Sequence, residues 1–331
     1  MTVRITLSLA IWLRKNSNRK MAKFSIKQIK GVIPAMLTPF NCNEELDLQA
    51  TLELTKYLCN QNIGGLYLTG STGEGFMMSV DERKTFVEAV INEVNGSVPI
   101  IIHVGAISTK ASAELSKHAR DIGADAISSV PPIYWRFTDD EVKVYYEDLV
   151  QASGLPMIVY NIALAGLVSF DMIKELSKIE GVKGIKYTSS TLYDVFRIKE
   201  YAGSDFMVYS GSDELAISGL SFGADGLIGS TYNLLANLFV RIWDNAMANN
   251  MNEAATLQQY ANRYIFTFIK HNLMPVMKYL LKYVGIDHII SRRPFEHLTE
   301  EKKKNIDEDL KELYKEIGAC GLDFMEGLIN D

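Results

Sequence analysis

The sequence predicts an α/β fold, a (β/α)8 TIM barrel with a C-terminal helical appendage. After residue 30, eight short runs rich in Val and Ile each precede a longer amphipathic stretch, which is the element count of such a barrel. The interiors of these runs are apolar without clear alternation, as expected for strands buried on both faces. A doubly wound open sheet is the alternative, but no GxGxxG motif opens a helix after the first run.

The predicted elements divide the chain into a barrel, residues 31–250, and a C-terminal helical region, residues 251–331. The predicted strands are VIPAMLTPF from residue 32, GLYLTG from 65, IIIHVG from 100, DAISSVPP from 125, MIVYN from 157, GIKYT from 184, MVYSG from 207 and GLIGST from 226. Helical patterns lie between them, and the end of the chain carries helical patterns alone, at 252–270, 273–284 and 299–318. We therefore expect helices packed on the barrel as an appendage.

Residues 1–30 are predicted to be an N-terminal extension that is disordered or non-native. Its apolar run ITLSLAIWL is followed by basic residues and by no small-x-small cleavage site, and Met21 is a candidate natural start. A targeting role is the alternative.

Composition and charge favour a small-molecule ligand. The chain has 331 residues with 34 basic and 40 acidic side chains, a formal net charge of −6. Mixed charges with an acidic excess predict neither nucleic-acid nor membrane binding. Cys42, Cys59 and Cys320 form no CxxC pair, which indicates a reducing, cytoplasmic setting. The histidines have no HExxH spacing, so we expect no metal.

Lys186 lies in the middle of the sixth predicted strand, within GVKGIKYTSS (181–190). Period-two alternation puts Ile185 and Tyr187 on one face and Lys186 on the other, so Lys186 points into the barrel if the first pair packs under the helices. Burial favours the neutral amine, a nucleophile that forms a Schiff base with a ketone. The alternative is a structural lysine that reaches the barrel rim and pairs with an Asp or Glu.

Two further features support chemistry at Lys186. Tyr160 ends the neighbouring predicted strand, at the end where barrel active sites lie, and a phenol can shuttle a proton. The loop TGSTGEG (69–75) supplies backbone N–H groups and the hydroxyls of Ser71 and Thr72. Such a nest binds a carboxylate or phosphate, although a plain turn is the alternative. A nucleophilic lysine, a phenol and an anion nest together indicate an aldolase that acts on a 2-keto acid.

Several motifs resemble one known superfamily. GSTGE after the second strand, YN after the fifth and GIK in the sixth resemble the dihydrodipicolinate synthase and N-acetylneuraminate lyase superfamily, over residues 31 to about 320. GIKYTSSTLYD (184–194), GSDE (211–214), GADGLIGSTYN (223–233) and RRPF (292–295) are closer to its N-acetylneuraminate lyase branch. The resemblance implies a class I aldolase that reversibly cleaves N-acetylneuraminate to pyruvate and N-acetyl-D-mannosamine. It implies a covalent Schiff base and no separate cofactor.

The resemblance also implies roles for single residues. Lys186 matches the Schiff-base lysine, and Tyr160 matches the proton-transferring tyrosine. Ser71 and Thr72 match the pair that holds the carboxylate of the pyruvate part. Tyr134, in PPIYW, matches a tyrosine that reaches into the neighbouring subunit's site and completes a relay with Thr72 and Tyr160, which implies a homotetramer built as a dimer of dimers. The positions that contact the sugar's polar groups are matched by Thr188, Gly211, Asp213, Glu214 and Ser230.

Other interpretations stay open. Another pyruvate-dependent aldolase, such as dihydrodipicolinate synthase or a sugar-acid aldolase, would share the barrel, and so would a non-catalytic binder or regulator. The synthase branch places an arginine shortly after its YN motif, whereas this chain has none between Arg136 and Arg197. A pure binder has no need of a buried nucleophile. From the residues alone, an acidic pair at a helix N-terminus is the alternative for Asp213 and Glu214, and a helix cap is the alternative for Ser230.

Overall fold

The structure of the protein is a computed structural model that describes residues 21–331. Its eight strands pair in parallel in the order β1-β8-β7-β6-β5-β4-β3-β2. The circle closes where Ala35 bridges Tyr67 and the N–H of Met36 donates to the Tyr67 carbonyl at 2.9 Å. The strands are Gly31–Pro34 (β1), Leu66–Leu68 (β2), Ile100–His103 (β3), Ala126–Ser129 (β4), Met157–Ile162 (β5), Val182–Thr188 (β6), Met207–Ser210 (β7) and Gly226–Gly229 (β8). The predicted barrel is confirmed.

A helix follows each strand and covers the outside of the barrel. Ser79 and Thr138 begin two of these helices with reciprocal capping boxes, and Gly123 ends another in the left-handed conformation at a φ of 87°. The helices are Leu48–Cys59 (α1), Val80–Val94 (α2), Thr109–Ile122 (α3), Asp139–Ser153 (α4), Phe170–Ser177 (α5), Tyr193–Ala202 (α6), Ala216–Ser221 (α7) and Tyr232–Met247 (α8). Each repeat therefore follows the sequence pattern of strand and then helix.

The strands carry two separate apolar layers, because successive side chains point to opposite faces. One layer packs between the strands and the surrounding helices, and in β6 it includes Ile185 and Tyr187. The other fills the inside of the barrel and includes Tyr67, Tyr160 and Tyr209. The alternation predicted for β6 is therefore confirmed, and Lys186 belongs to the inner face.

Helices alone form the C-terminal region, as predicted. They are Met251–Lys270 (α9), Leu273–Leu280 (α10), Glu300–Ile317 (α11) and Asp323–Asn330 (α12), and a short 3-10 turn, Leu281–Val284, extends α10. The sequence did not predict α12. It packs closely on the turn because Gly327 has no side chain, and a Cβ there would meet the Tyr283 carbonyl oxygen at 2.2 Å. Among the helices of residues 21–331, none has the length and apolar character needed to cross a membrane.

The predicted N-terminal extension, residues 1–30, lies partly outside the described residues, which begin at residue 21. Several of its last ten residues contact the barrel. The backbone N–H groups of Lys23 and Phe24 each donate to Asp125 Oδ1 at 2.8 Å. Ile29 is fully buried, and its carbonyl accepts a 3.1 Å hydrogen bond from the Tyr209 hydroxyl. Lys23, Phe24 and Ile29 thus contact the folded barrel.

Candidate active site

Lys186 lies inside the barrel near its C-terminal end and is only 4% exposed. It pairs in register with Tyr160 of β5 on one side and Tyr209 of β7 on the other. Its Nζ lies 4.2 Å from the ring centroid of Tyr160 and 4.6 Å from that of Tyr67. Within residues 21–331 no hydrogen bond or ion pair uses this Nζ. The arrangement therefore gives no support to a structural lysine neutralised by a carboxylate.

Aromatic rings surround Lys186 on the inside of the barrel. Tyr67 and Tyr160 pack edge to face with centroids 6.0 Å apart, and His103 lies 6.1 Å from Tyr160. The Tyr67 hydroxyl donates to Ser128 Oγ at 3.0 Å, whereas no hydrogen bond among the described residues uses the Tyr160 hydroxyl. The phenol of Tyr160 is therefore available to a ligand. Tyr67 is not among the predicted site residues, although its place in the middle of β2 is a signal of an inward-facing ring.

His103 is buried, and its Nε2 accepts from the Val130 N–H at 3.2 Å. Burial lowers the pKa of His103 well below its ordinary value, and the charges of Arg83 and Lys186 lower it further. The ring is therefore neutral, and it serves as a wall of the aromatic cluster.

The loop 69–75 that follows β2 has the geometry of an anion nest. Thr69 and Glu74 both adopt left-handed conformations, with φ of 55° and 52°. No hydrogen bond within the described residues uses the backbone N–H groups of Ser71, Thr72 or Gly73. Three consecutive free N–H groups beside two hydroxyls suit a carboxylate.

Contacts between strand ends bring the remaining predicted residues towards Lys186. Thr72 Oγ1 lies 2.6 Å from Ser230 Oγ, which links the nest to the end of β8. Gly211 follows β7 and packs against β6, where a Cβ would meet Thr188 Oγ1 at 1.9 Å and Lys186 Cε at 3.2 Å. Only glycine fits there, and the Thr188 hydroxyl has no partner among residues 21–331.

The two acidic residues after β7 are not equivalent. Asp213 is 6% exposed, and its Oδ2 accepts from both the N–H (2.8 Å) and the hydroxyl (2.7 Å) of Thr231. Its Oδ1 lies against Gly229 and has no partner in the described part of the chain. The side chain of Glu214 is half-buried and takes part in no hydrogen bond of residues 21–331. Glu214 is therefore the freer of the two to receive ligand hydroxyls.

The environment of Asp213 predicts a pH-dependent stability effect. Burial raises its pKa to about 6, although the hydrogen bonds from Thr231 act to lower it. Because this value exceeds the ordinary 3.8, the folded protein binds a proton between these pH values that the unfolded chain does not, and stability falls as pH rises through the window. The Asp213→Asn variant has no titratable group at this position, so only the parent loses stability in this window. The free energy of unfolding of the variant minus that of the parent should therefore increase by up to about 3 kcal/mol as pH rises from 4 to 7.5. Urea titrations at both pH values measure this, and a pH-independent difference would contradict a raised pKa.

Tyr134 lies apart from this set. It is 87% exposed, has a φ of 84°, and packs edge to face on Trp135 with ring centroids 5.5 Å apart. No contact of the described residues joins it to Lys186, Tyr160 or Thr72. Within one chain, the structure does not bring Tyr134 into the candidate site.

The candidate site offers no cluster of metal ligands. Among residues 21–331, no group of three or more His, Cys, Asp or Glu side chains could hold a metal ion. Glu74, the acidic residue of GSTGE, lies at the end of the second predicted strand but is not among the predicted site residues. Its carboxylate is buried and bonded to the C-terminal region.

The fold, together with the lyases to which the chain is similar, defines a (β/α)8-barrel lyase. The chain belongs to the dihydrodipicolinate synthetase family, whose model matches residues 28–313. Over 274 residues it is 39% identical to the N-acetylneuraminate lyase of Rhizobium meliloti, a match that covers 82% of this chain and 91% of that protein.

Solved structures agree with this assignment. The catalytic lysine mutant of the Ruminococcus gnavus sialic acid aldolase superposes with a TM-score of 0.84 at 30% identity, over 88% of this chain and 97% of that one. CdNal from Clostridium difficile in complex with mannosamine has a TM-score of 0.83 at 30% identity, over 87% of this chain and 99% of that one.

Proposed function

We propose that this protein is an N-acetylneuraminate lyase, a class I aldolase that reversibly cleaves the open-chain substrate to pyruvate and N-acetyl-D-mannosamine. The observation that carries the proposal is the environment of Lys186. Its side chain is buried between the rings of Tyr67 and Tyr160, and it forms no ion pair with a carboxylate of residues 21–331. The names of the similar lyase and aldolase support the substrate.

The proposed chemistry begins when the Lys186 amine attacks the C2 keto carbon, and loss of water leaves a protonated imine. The imine accepts the electrons of the C3–C4 bond, which breaks as the C4 hydroxyl loses its proton and becomes the aldehyde of N-acetylmannosamine. The resulting enamine is protonated at C3, and hydrolysis releases pyruvate and restores the amine. Tyr160 transfers protons at this centre. Ser71, Thr72 and the backbone N–H groups of the nest hold the C1 carboxylate.

The experiment that tests the proposed function is a product assay. N-acetylneuraminate should be converted to equal amounts of pyruvate and N-acetylmannosamine, and the reverse reaction should consume both. Absence of cleavage, together with condensation of pyruvate and aspartate semialdehyde, would favour the synthase alternative instead. The lack of an arginine between Arg136 and Arg197 already weighs against that alternative.

Specificity for the sugar is proposed to lie on the ends of β6 to β8. A nine-carbon polyol needs several convergent donors and acceptors, and those offered here are Thr188, Gly211, Asp213, Glu214 and Ser230. The engaged carboxylate of Asp213 leaves Glu214 as the principal acceptor.

Glu214→Gln should therefore lower kcat/KM for N-acetylneuraminate by about ten- to a hundredfold, since a hydrogen bond to a charged group contributes roughly 1.5–3 kcal/mol. The concentration of pyruvate that half-saturates Schiff-base formation should stay unchanged, because pyruvate lacks the polyol. Steady-state kinetics and borohydride trapping measure the two quantities. Equal losses for both ligands would mean that Glu214 is structural.

The exposed aromatic residues after β4 support a homotetramer built as a dimer of dimers. Tyr134 and Trp135 are 87% and 72% exposed, and large exposed aromatics are typical interface anchors. We propose that Tyr134 enters the neighbouring subunit's site and joins Thr72 and Tyr160 in a proton relay. Aromatics that fold back over their own barrel are the alternative.

A shared site predicts complementation between two inactive variants. Tyr134→Ala and Lys186→Ala should each have little activity alone. After joint dissociation and reassembly, activity should return, because each mixed dimer contains one complete site. Light scattering follows the assembly state. A fully active monomer, or no recovery in mixed dimers, would contradict the shared site.

A further inference from the structure

The carboxylate of Glu74 connects the carboxylate nest to the C-terminal helices. Its Oε1 accepts from Lys278 Nζ of α10 at 2.5 Å, and its Oε2 accepts from the backbone N–H of Arg292 at 2.9 Å. Lys278 Nζ also donates to the Ile290 carbonyl at 2.7 Å. The side chains of Glu74 and Lys278 are 0% and 1% exposed. Among the described residues, both oxygens of the Glu74 carboxylate are therefore bonded only to residues of the C-terminal region.

Arg292 extends this connection to the segment that follows the nest. Its Nη1 donates to the Met77 carbonyl at 2.9 Å, and its Nε donates to the Glu44 carbonyl at 2.8 Å. Its guanidinium also forms an ion pair with Glu82 in the first turn of α2, and this pair lowers the pKa of Glu82 to about 2. One short C-terminal segment thus holds the chain at Glu74, at Met77 and at Glu82.

The nest needs an external support. Non-glycine residues rarely adopt left-handed conformations, and such strained positions persist only where the surroundings determine them. Within the loop, Glu74 N–H bonds to the Ser71 carbonyl and Gly75 N–H to that of Gly70, at 3.0 and 3.1 Å. These bonds leave the N–H groups of Ser71 and Thr72 free. The turn that presents them is held from outside at two points, at the Gly73 carbonyl by the Thr38 hydroxyl at 2.7 Å and at the carboxylate of Glu74.

A purely stabilising role does not explain the buried cluster formed by Glu74, Lys278 and Arg292. Burying two charges costs solvation energy that their attraction repays only partly, and apolar replacements of similar volume often serve stability equally well. A buried ion pair does set the relative position of the two segments that carry it. Here those segments are the anion-binding loop and α10.

We infer that the C-terminal helices hold the nest in its carboxylate-binding conformation through Glu74 and Lys278, which are positioning residues for the keto acid. This inference rests on the proposed function. It gives the helical appendage a part in substrate binding, although none of its residues needs to touch the substrate.

The test compares two ketones that differ in the carboxylate. Pyruvate and hydroxyacetone are each trapped on Lys186 with borohydride over a range of concentrations. In the double variant Glu74→Gln/Lys278→Met, both charges are removed together with little change in volume. The half-saturating pyruvate concentration should rise about ten- to a hundredfold, as expected for displaced binding groups. The half-saturating concentration of hydroxyacetone should not change, because this ketone has no carboxylate for the nest to bind.

Asp307→Asn is the matched control. Asp307 Oδ2 accepts from the hydroxyls of Tyr279 and Tyr283 at 2.7 and 2.8 Å, and so ties α10 and its following turn to α11 without touching the nest. This variant should loosen the same helices and leave the trapping of pyruvate unchanged. If Asp307→Asn raised the half-saturating pyruvate concentration as much as the double variant does, the inference would be overturned.

The remaining outcomes are also decisive. A parent protein that forms no pyruvate adduct contradicts the proposed function itself. A parent that forms the adduct, with an unchanged pyruvate dependence in the double variant, overturns the inference alone, and so does an equal loss for both ketones. If the double variant does not fold, Glu74→Gln supplies the same comparison. Failure of both variants to fold would make the cluster structural rather than positioning.

Discussion

Lys186→Arg is expected to have no measurable aldolase activity while keeping the parent fold. Arginine retains the positive charge and much of the length of lysine, but its guanidinium does not deprotonate in a protein and cannot form the imine. The loss of kcat should be at least about 10⁴-fold, in the range seen when a covalent nucleophile is removed. A continuous assay for released pyruvate measures this loss.

Lys183→Arg is the matched control, because Lys183 lies on the same strand three residues earlier and is exposed. It should retain parental activity. After treatment with pyruvate and borohydride, mass spectrometry should place the reduced adduct of the parent on Lys186. An active parent whose adduct is on another lysine would falsify the assignment.

Tyr160→Phe should lower kcat by about 10²- to 10⁴-fold, the usual contribution of a general acid–base group. The substitution removes only the hydroxyl, which makes no hydrogen bond within residues 21–331. The ring that lies 4.2 Å from Lys186 Nζ remains. We therefore expect little change in thermal stability and little change in pyruvate trapping. Rapid-quench kinetics separate the proton-transfer steps from imine formation.

Tyr67→Phe provides the comparison, since Tyr67 supplies the other ring beside Lys186. Its hydroxyl donates to Ser128 inside the barrel, so its removal should lower stability more than rate. Equal rate losses at Tyr67 and Tyr160 would contradict a specific role for Tyr160 in proton transfer.

The inward orientation of Lys186 could be predicted because strand alternation is a local rule. Ile185 and Tyr187 are apolar and adjacent, so one face of β6 had to pack under helices, and the lysine had to take the other. An anion nest in the loop TGSTGEG (69–75) could also be predicted from local sequence, because its glycine and hydroxyl residues suit such a nest. The partners of Asp213 could not be predicted, because Thr231 belongs to a different strand end.

The sequence by itself determined the barrel, since eight repeats of an apolar run and an amphipathic stretch are visible in it. It also determined the helical C-terminal region and the inner face that carries Lys186, which follow from local hydrophobic periodicity. Only the tertiary structure decided how the strand ends meet. It placed Lys186 between the rings of Tyr67 and Tyr160, bonded Asp213 to Thr231, and left Tyr134 on the surface. It also joined Glu74 to Lys278, 204 residues further along the chain. Such contacts depend on how whole helices pack on a closed barrel, and that packing cannot be predicted from local patterns of residues.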